Sequence, residues 1–291
     1  MSEEIMPMTD VRPRRQRSQG SGATDAALLF DEPGPRGRIL IVIGSLLAVM
    51  GIAALAAAVL YRLDLAGQLD YPEWRYFLGR SIVSQLLEAA GTTLSLGGVA
   101  AVLTFPLGIA LGWIRLLDNR PVRWLVGLWI DAMRAVPMLL LVYFFLLVVP
   151  RFATISDFWK LALPIVMCTS ATTAEVFRSG VRALDRGQTE AAWALGMSPS
   201  LTMRLILAPQ ALRLMLPTLI TQMVTIIKGT TLAYVLAYPE LMYRGSTMIG
   251  QAKIDAHLSV FFQTYVIIAV LYIIVNWSLG ALARYIESRT R

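Results

Sequence analysis

Lys228 sits in an apolar run from about Leu214 to Leu236, with no acid at helical spacing on its own segment. An ionisable group in lipid is costly, so a cation there calls for a partner from elsewhere, on another segment or on a passing solute. Thr218, Thr221, Gln222 and Thr225 recur at three- and four-residue steps ahead of it. A helix would draw them into one polar stripe ending at Lys228. Thr169, Ser170, Thr172 and Thr173 make a second hydroxyl-rich patch. Such hydroxyls can bind helix to helix. Alternatively, the two patches line a wet path for a small zwitterion whose carboxylate meets Lys228. Two acid–base pairs, Asp131 with Arg134 and Glu175 with Arg178, stand three residues apart and are neighbours on one helix face. Each pair can neutralise itself so that its helix enters a bundle, or can serve the same path.

Bond-making chemistry is harder to find. One cysteine (Cys168) and one histidine (His257) leave no intrachain disulfide, no Cys cluster and no His pair for a metal. There is no G-x-x-x-x-G-K-[ST] phosphate loop. An intramembrane hydrolase would need a nucleophile and a base, yet neither G-x-S-x-G nor Gly-x-Gly-Asp occurs.

The elements that must hold these residues are apolar. Of 291 residues, 56% are hydrophobic and only 15% charged, and the mean hydropathy is +0.62. A soluble domain carries about 25% charge. The net charge of +7 therefore reads as basic residues at bilayer surfaces rather than as a nucleic-acid footprint. A helix needs about 20 apolar residues to cross the hydrocarbon. Six candidates follow: Ile39–Leu60, about Leu94–Ile114 with Gly108 and Gly112 in GxxxG spacing, about Val122–Val149, about Leu161–Phe177, about Leu214–Leu236 and about Val260–Ala283. The expected fold class is an all-α polytopic membrane protein of about six transmembrane helices. With the N-terminus inside, the inner segments hold 17 Arg or Lys residues and the outer ones 7, which predicts both termini in the cytoplasm. Trp113, Trp124 and Trp277 fall near span ends, where amphipathic rings prefer the interface.

Residues 1–38 differ in kind, with Arg-Pro-Arg-Arg-Gln-Arg at 12–17 and Pro-Gly-Pro at 33–35. They are expected to form a disordered basic cytoplasmic tail. Arg14-Arg15 invites an export-signal reading. The first apolar run is too long for a signal core, however, and reads as an uncleaved span over 39–60.

Between the fourth and fifth spans lies the least membrane-like internal stretch, about Arg178–Arg213. A short helix fits Gln188–Leu195, ended by Gly196 at a left-handed position. Ser198 then Pro199 starts another, as a hydroxyl cap followed by a ring preset for the first helical turn. Two short helices at an angle make a knob, with Glu190 projecting among arginines and Ala191 and Ala192 keeping its surface close-fitting. The same residues also suit an amphipathic connector lying on headgroups.

Glu190-Ala191-Ala192, three residues, Gly196, nine residues, Ile206 and then Pro209 resembles the EAA loop of ABC-importer permeases, E-A-A-x3-G-x9-I-x-L-P, with Ala208 in place of the Leu. The chain is most similar to the polar amino acid branch. Ala174–Gly180, Gly187-Gln188, Pro209–Arg213, Lys228–Leu232 and Arg134–Pro137 carry that likeness, with Gly229 where an Asp is usual and Ala135 where a Gly is usual. It covers about residues 85–288, with the coupling loop at 187–213. The span at 39–60 stands outside it, as an extra helix on a five-helix core.

The resemblance implies a transport subunit of the bacterial plasma (inner) membrane, not an enzyme. It also implies partners: separate ATPase subunits that bind ATP and Mg, a second permease chain (identical or similar) and an extracytoplasmic solute-binding protein. The chain itself would hold no cofactor and no metal. Glu190, Ala191, Ala192, Trp193, Gly196 and Pro209 would couple to the ATPase. Lys228, Thr225, Gln222, Thr221, Thr172, Thr173, Glu175 and Arg134 are the substrate-path candidates. Glutamate or glutamine is the expected cargo. The alternatives are another small solute or a membrane scaffold or sensor without transport.

Overall fold

A computed structural model describes residues 34–290, and the described residues contain helices and no strand. Helix α1 (Pro35–Leu65) belongs to a unit ending at Leu63, while the rest of the chain forms a second unit. Residues 1–33 of the expected tail lie outside the described residues, and α1 begins at Pro35 rather than at the expected residue 39. None of the described side chains of α1 is buried, and it is apolar all round, as suits a helix solvated by lipid.

The second unit contains α2 (Tyr71–Tyr76), α3 (Arg80–Ile114), α4 (Arg120–Ala135), α5 (Met138–Leu147), α6 (Asp157–Arg182), α7 (Arg186–Ala194), α8 (Pro199–Leu236), α9 (Leu241–Asp255) and α10 (Phe261–Thr290). Helix α6 is its hub, packed against α3, α4, α5 and α8. Of its 26 residues 14 are buried, so its polar side chains are covered by protein. By length and composition four helices can cross a membrane (α1, α3, α8 and α10), or five if α4 and α5 together make one. The count of six is thus not reached on composition, because α6 is long enough but too polar.

Three expectations about the spans need correction. Val122–Val149 is not one straight helix: α4 and α5 meet at a 96° bend. Val136 precedes Pro137, the ring of which disfavours helical geometry at the residue before it, and Val136 has ψ 128°. The fourth span extends well beyond Leu161–Phe177 at both ends. The fifth begins at Pro199, fifteen residues before Leu214, so its root lies inside the predicted loop.

The GxxxG spacing in α3 has a definite use. A Cβ on Gly108 would stand 2.5 Å from Thr173 Cβ, and one on Gly112 would stand 2.6 Å from the Ala174 carbonyl oxygen. The bare backbone lets α3 and α6 meet at this distance. At the α7 end, Phe177, Val181, Ala211 and Met215 close the core between α6 and α8. At the opposite end, Phe77 and Leu86 pack with Met248, Ala252 and Val260.

Candidate functional site

Helix α7 opens with Asp185 accepting a hydrogen bond from the Gly187 N–H at 2.8 Å. It closes at Gly196, with φ +76°, while the Met197 N–H reaches back to the Ala192 carbonyl at 3.1 Å. This is the left-handed termination that glycine permits. Ser198 Oγ then accepts from the Leu201 N–H at 3.4 Å, with Pro199 first in the helix. The Gly196 stop and the Ser198–Pro199 restart match the sequence reading, whereas the Asp185 cap was not foreseen and starts the helix at Arg186 rather than Gln188. Ala192 is buried against the body, whereas Glu190, Ala191 and Trp193 are exposed and Leu195 is 82% exposed. The elbow therefore presents an apolar tip beside an acid. A groove of about 420 Å³ separates it from the turn after α3, between Trp113 and Asp118 on one side and Thr189, Trp193 and Met203 on the other. Pro209, also exposed, lies past a π-helical stretch at Met203–Leu207 that interrupts regular winding near the root of α8.

The two polar patches face different ways. On α8, Thr218, Thr221, Thr225 and Lys228 are exposed on the surface of the single chain, and Gln222 is half-buried. Lys228 makes no ion pair among the described residues. Thr221 and Thr225 donate to carbonyls one turn back on their own helix. On α6, Thr169, Ser170 and Thr173 are buried. Thr169 shares a 2.8 Å hydroxyl–hydroxyl bond with Thr104 of α3, and Thr173 is pressed against Gly108. For these residues the helix-binding role is the one the geometry serves, and Thr173 is too enclosed to line a path. Thr172 alone of the patch is half-exposed. Gln222 Nε2 donates to the Thr169 carbonyl at 3.4 Å and so ties the two patches together.

Both acid–base pairs form, and Arg115 joins them. Its guanidinium reaches Glu175 at 2.9 Å and Asp131 at 3.1 Å. Arg178 Nε donates to both Glu175 oxygens at 3.0–3.1 Å, and Arg134 lies 3.9 Å from Asp131. Glu175 and Arg134 thus belong to a clamp across α3, α4 and α6. No local spacing singles out Arg115, because its partners lie 16 and 60 residues away.

A further buried acid was also missed. Glu240 caps α9, accepting from the Met242 and Tyr243 N–H groups at 2.9 and 2.8 Å and from the Tyr272 hydroxyl at 2.8 Å. Burial pushes its carboxyl up, against the pull of these three hydrogen bonds. Its position as a helix cap ahead of an apolar run was the available signal.

Comparison with known proteins agrees with this geometry. Residues 104–291 match the family of binding-protein-dependent transport system inner membrane components, and the chain belongs to it. It is a non-catalytic, multi-pass transport component of the inner membrane. Among curated relatives, the probable glutamine ABC transporter permease protein GlnP of Bacillus subtilis is 32% identical over 198 residues, 68% of this chain and 89% of that one. The glutamate transport system permease protein GluD of Corynebacterium glutamicum is 33% identical over 230 residues, 77% and 82% of the two chains. A solved amino acid ABC transporter shares the fold, with a TM-score of 0.64 at 23% identity over 72% of this chain and 95% of that one.

Proposed function

We propose that this chain is the membrane-spanning subunit of an ATP-driven importer for a polar amino acid, glutamate or glutamine first. The observation that carries the mechanism is the elbow at Glu190–Gly196, an exposed and sharply capped feature continuous with the root of α8. Trp193 and Leu195 offer apolar surface for a cleft in a separate ATPase subunit, while Glu190 offers charge to its rim. ATP and Mg bind in that subunit, and its closure moves the elbow. Pro209, exposed just past the π stretch, belongs to the same coupling set.

The relatives named for glutamine and glutamate support the cargo. So does Lys228, an exposed cation without an acid of its own, on a face that a second permease chain would cover to complete a path. Thr172, Thr221, Gln222 and Thr225 line that path beside it. With α6 shielded by its neighbours, the core has five spans over residues 85–288. Residues 39–60 add a sixth, and both termini lie in the cytoplasm. A solute-binding protein delivers cargo to the α9 face, opposite the elbow.

The test is uptake of a labelled amino acid panel by vesicles holding this chain with its ATPase and binding protein. Glutamate or glutamine should lead the panel. Gly196→Val should leave the protein inserted at normal abundance while uptake falls at least about tenfold, because a β-branched side chain in the left-handed region costs at least about 1–2 kcal/mol and redirects the elbow. Normal uptake by that variant would overturn the coupling assignment.

A further inference from the structure

Near the elbow, three guanidiniums are paired with no acid. Arg120 and Arg123 stand in the first turn of α4 and Arg182 in the last turn of α6, and none makes an ion pair among the described residues. With Arg115 and Arg178, already taken up by Asp131 and Glu175, they line one open cavity of about 550 Å³, where Asp131 is the sole acid. The placement is costly for α4. No acid occupies its first turn, and the positive end of a helix dipole disfavours cations. With Asp131 and Glu175 already engaged by Arg115 and Arg178, the other three arginines repel one another unless a further anion joins them.

The floor and rim restrict what that anion is. Gly127 forms part of the lining, and the Arg115 guanidinium lies 3.4 Å from where a Cβ on Gly127 would stand, so a larger residue would fill the space. The rim is apolar: Trp124 is 66% exposed and Leu128 55%. A small soluble anion gains nothing from exposed indole and leucine. A molecule with a phosphate at one end and hydrocarbon at the other satisfies both parts of the site, and the end of a membrane bundle is where such molecules are concentrated.

We propose that the arginine cavity between α3, α4 and α6 seats the phosphate headgroup of an anionic phospholipid, with its acyl chains along Leu128 and Trp124. The site is separate from the Lys228 stripe and does not depend on which solute is carried.

The test is native mass spectrometry of the full chain in complex with its ATPase, titrated with phosphatidylglycerol, phosphatidylcholine or inorganic phosphate. Phosphatidylglycerol should bind in preference to phosphatidylcholine, and millimolar inorganic phosphate should not displace it. Arg120→Gln with Arg123→Gln should weaken phosphatidylglycerol ~30-fold, the loss expected for two interfacial arginines. Arg182→Gln alone should weaken it to a lesser degree. Arg75→Gln with Arg151→Gln, exposed and outside the cavity, should not change it, and thermal midpoints check that every variant is folded. Equal binding of the two lipids, displacement by inorganic phosphate, or wild-type affinity in both cavity variants would each overturn the proposal.

Discussion

The hydroxyl patch of α6 and the polar stripe of α8 are both threonine-rich interruptions of apolar segments, yet opposite in structure. The first is sealed against α3, where Thr169 meets Thr104 and Thr173 meets Gly108. The second is exposed apart from the half-buried Gln222, and ends in a lysine without an acid among the described residues. Polarity within an apolar helix therefore does not say which way it points. The neighbouring surface decides, and here it is Thr104 and Gly108 on α3.

The most damaging way to disturb the sealed side is Gly108→Leu. Overpacking typically costs about 1–3 kcal/mol, and here the added atoms meet a backbone carbonyl as well as a side chain. The monodisperse yield on fluorescence-detected chromatography should collapse, whereas Thr225→Leu on the open stripe should give normal yield. Lys228→Met should show the reverse signature, with uptake down roughly tenfold, about 1.4 kcal/mol of transition-state stabilisation, and an unchanged melting temperature. A melting temperature that falls with uptake would make Lys228 a structural residue and erase the contrast. Glu175→Gln should fall between these. It strips Arg115 and Arg178 of a shared partner that is partly open to solvent, so the expected loss is about 1–2 kcal/mol, below the 3–5 kcal/mol of a fully buried pair, read as a lower thermal midpoint. The smallest effect belongs to Thr104→Val with Thr169→Val. A double-mutant cycle should give a coupling near 1 kcal/mol; a value of zero would mean that their contact contributes nothing to sealing.

What could be read in the sequence was local. Gly196, Ser198 and Pro199 act through their own backbones and through bonds that reach a few residues, so the elbow followed from residue types alone. The break at Val136–Pro137 was legible in principle, but the unbroken apolar run of Met138–Val149 outweighed one proline. Arg115 illustrates what no spacing rule reaches: its two acids lie on other helices, and only the fold brings them together. The burial of Thr173 is of the same kind, since the glycine that covers it is 65 residues away.

Because the short helix that restarts at Pro199, directly after the elbow, is also the first turn of α8, that restart and Lys228 lie on a single lever of 38 residues. At about 1.5 Å per residue that lever is roughly 55 Å long. A nudge at Ser198 must either arrive at the lysine or be absorbed on the way, and the π stretch at Met203–Leu207 and the proline at 217 are the two compliant joints available. Gearing between the two ends of this subunit is thus a matter of how stiff those joints are.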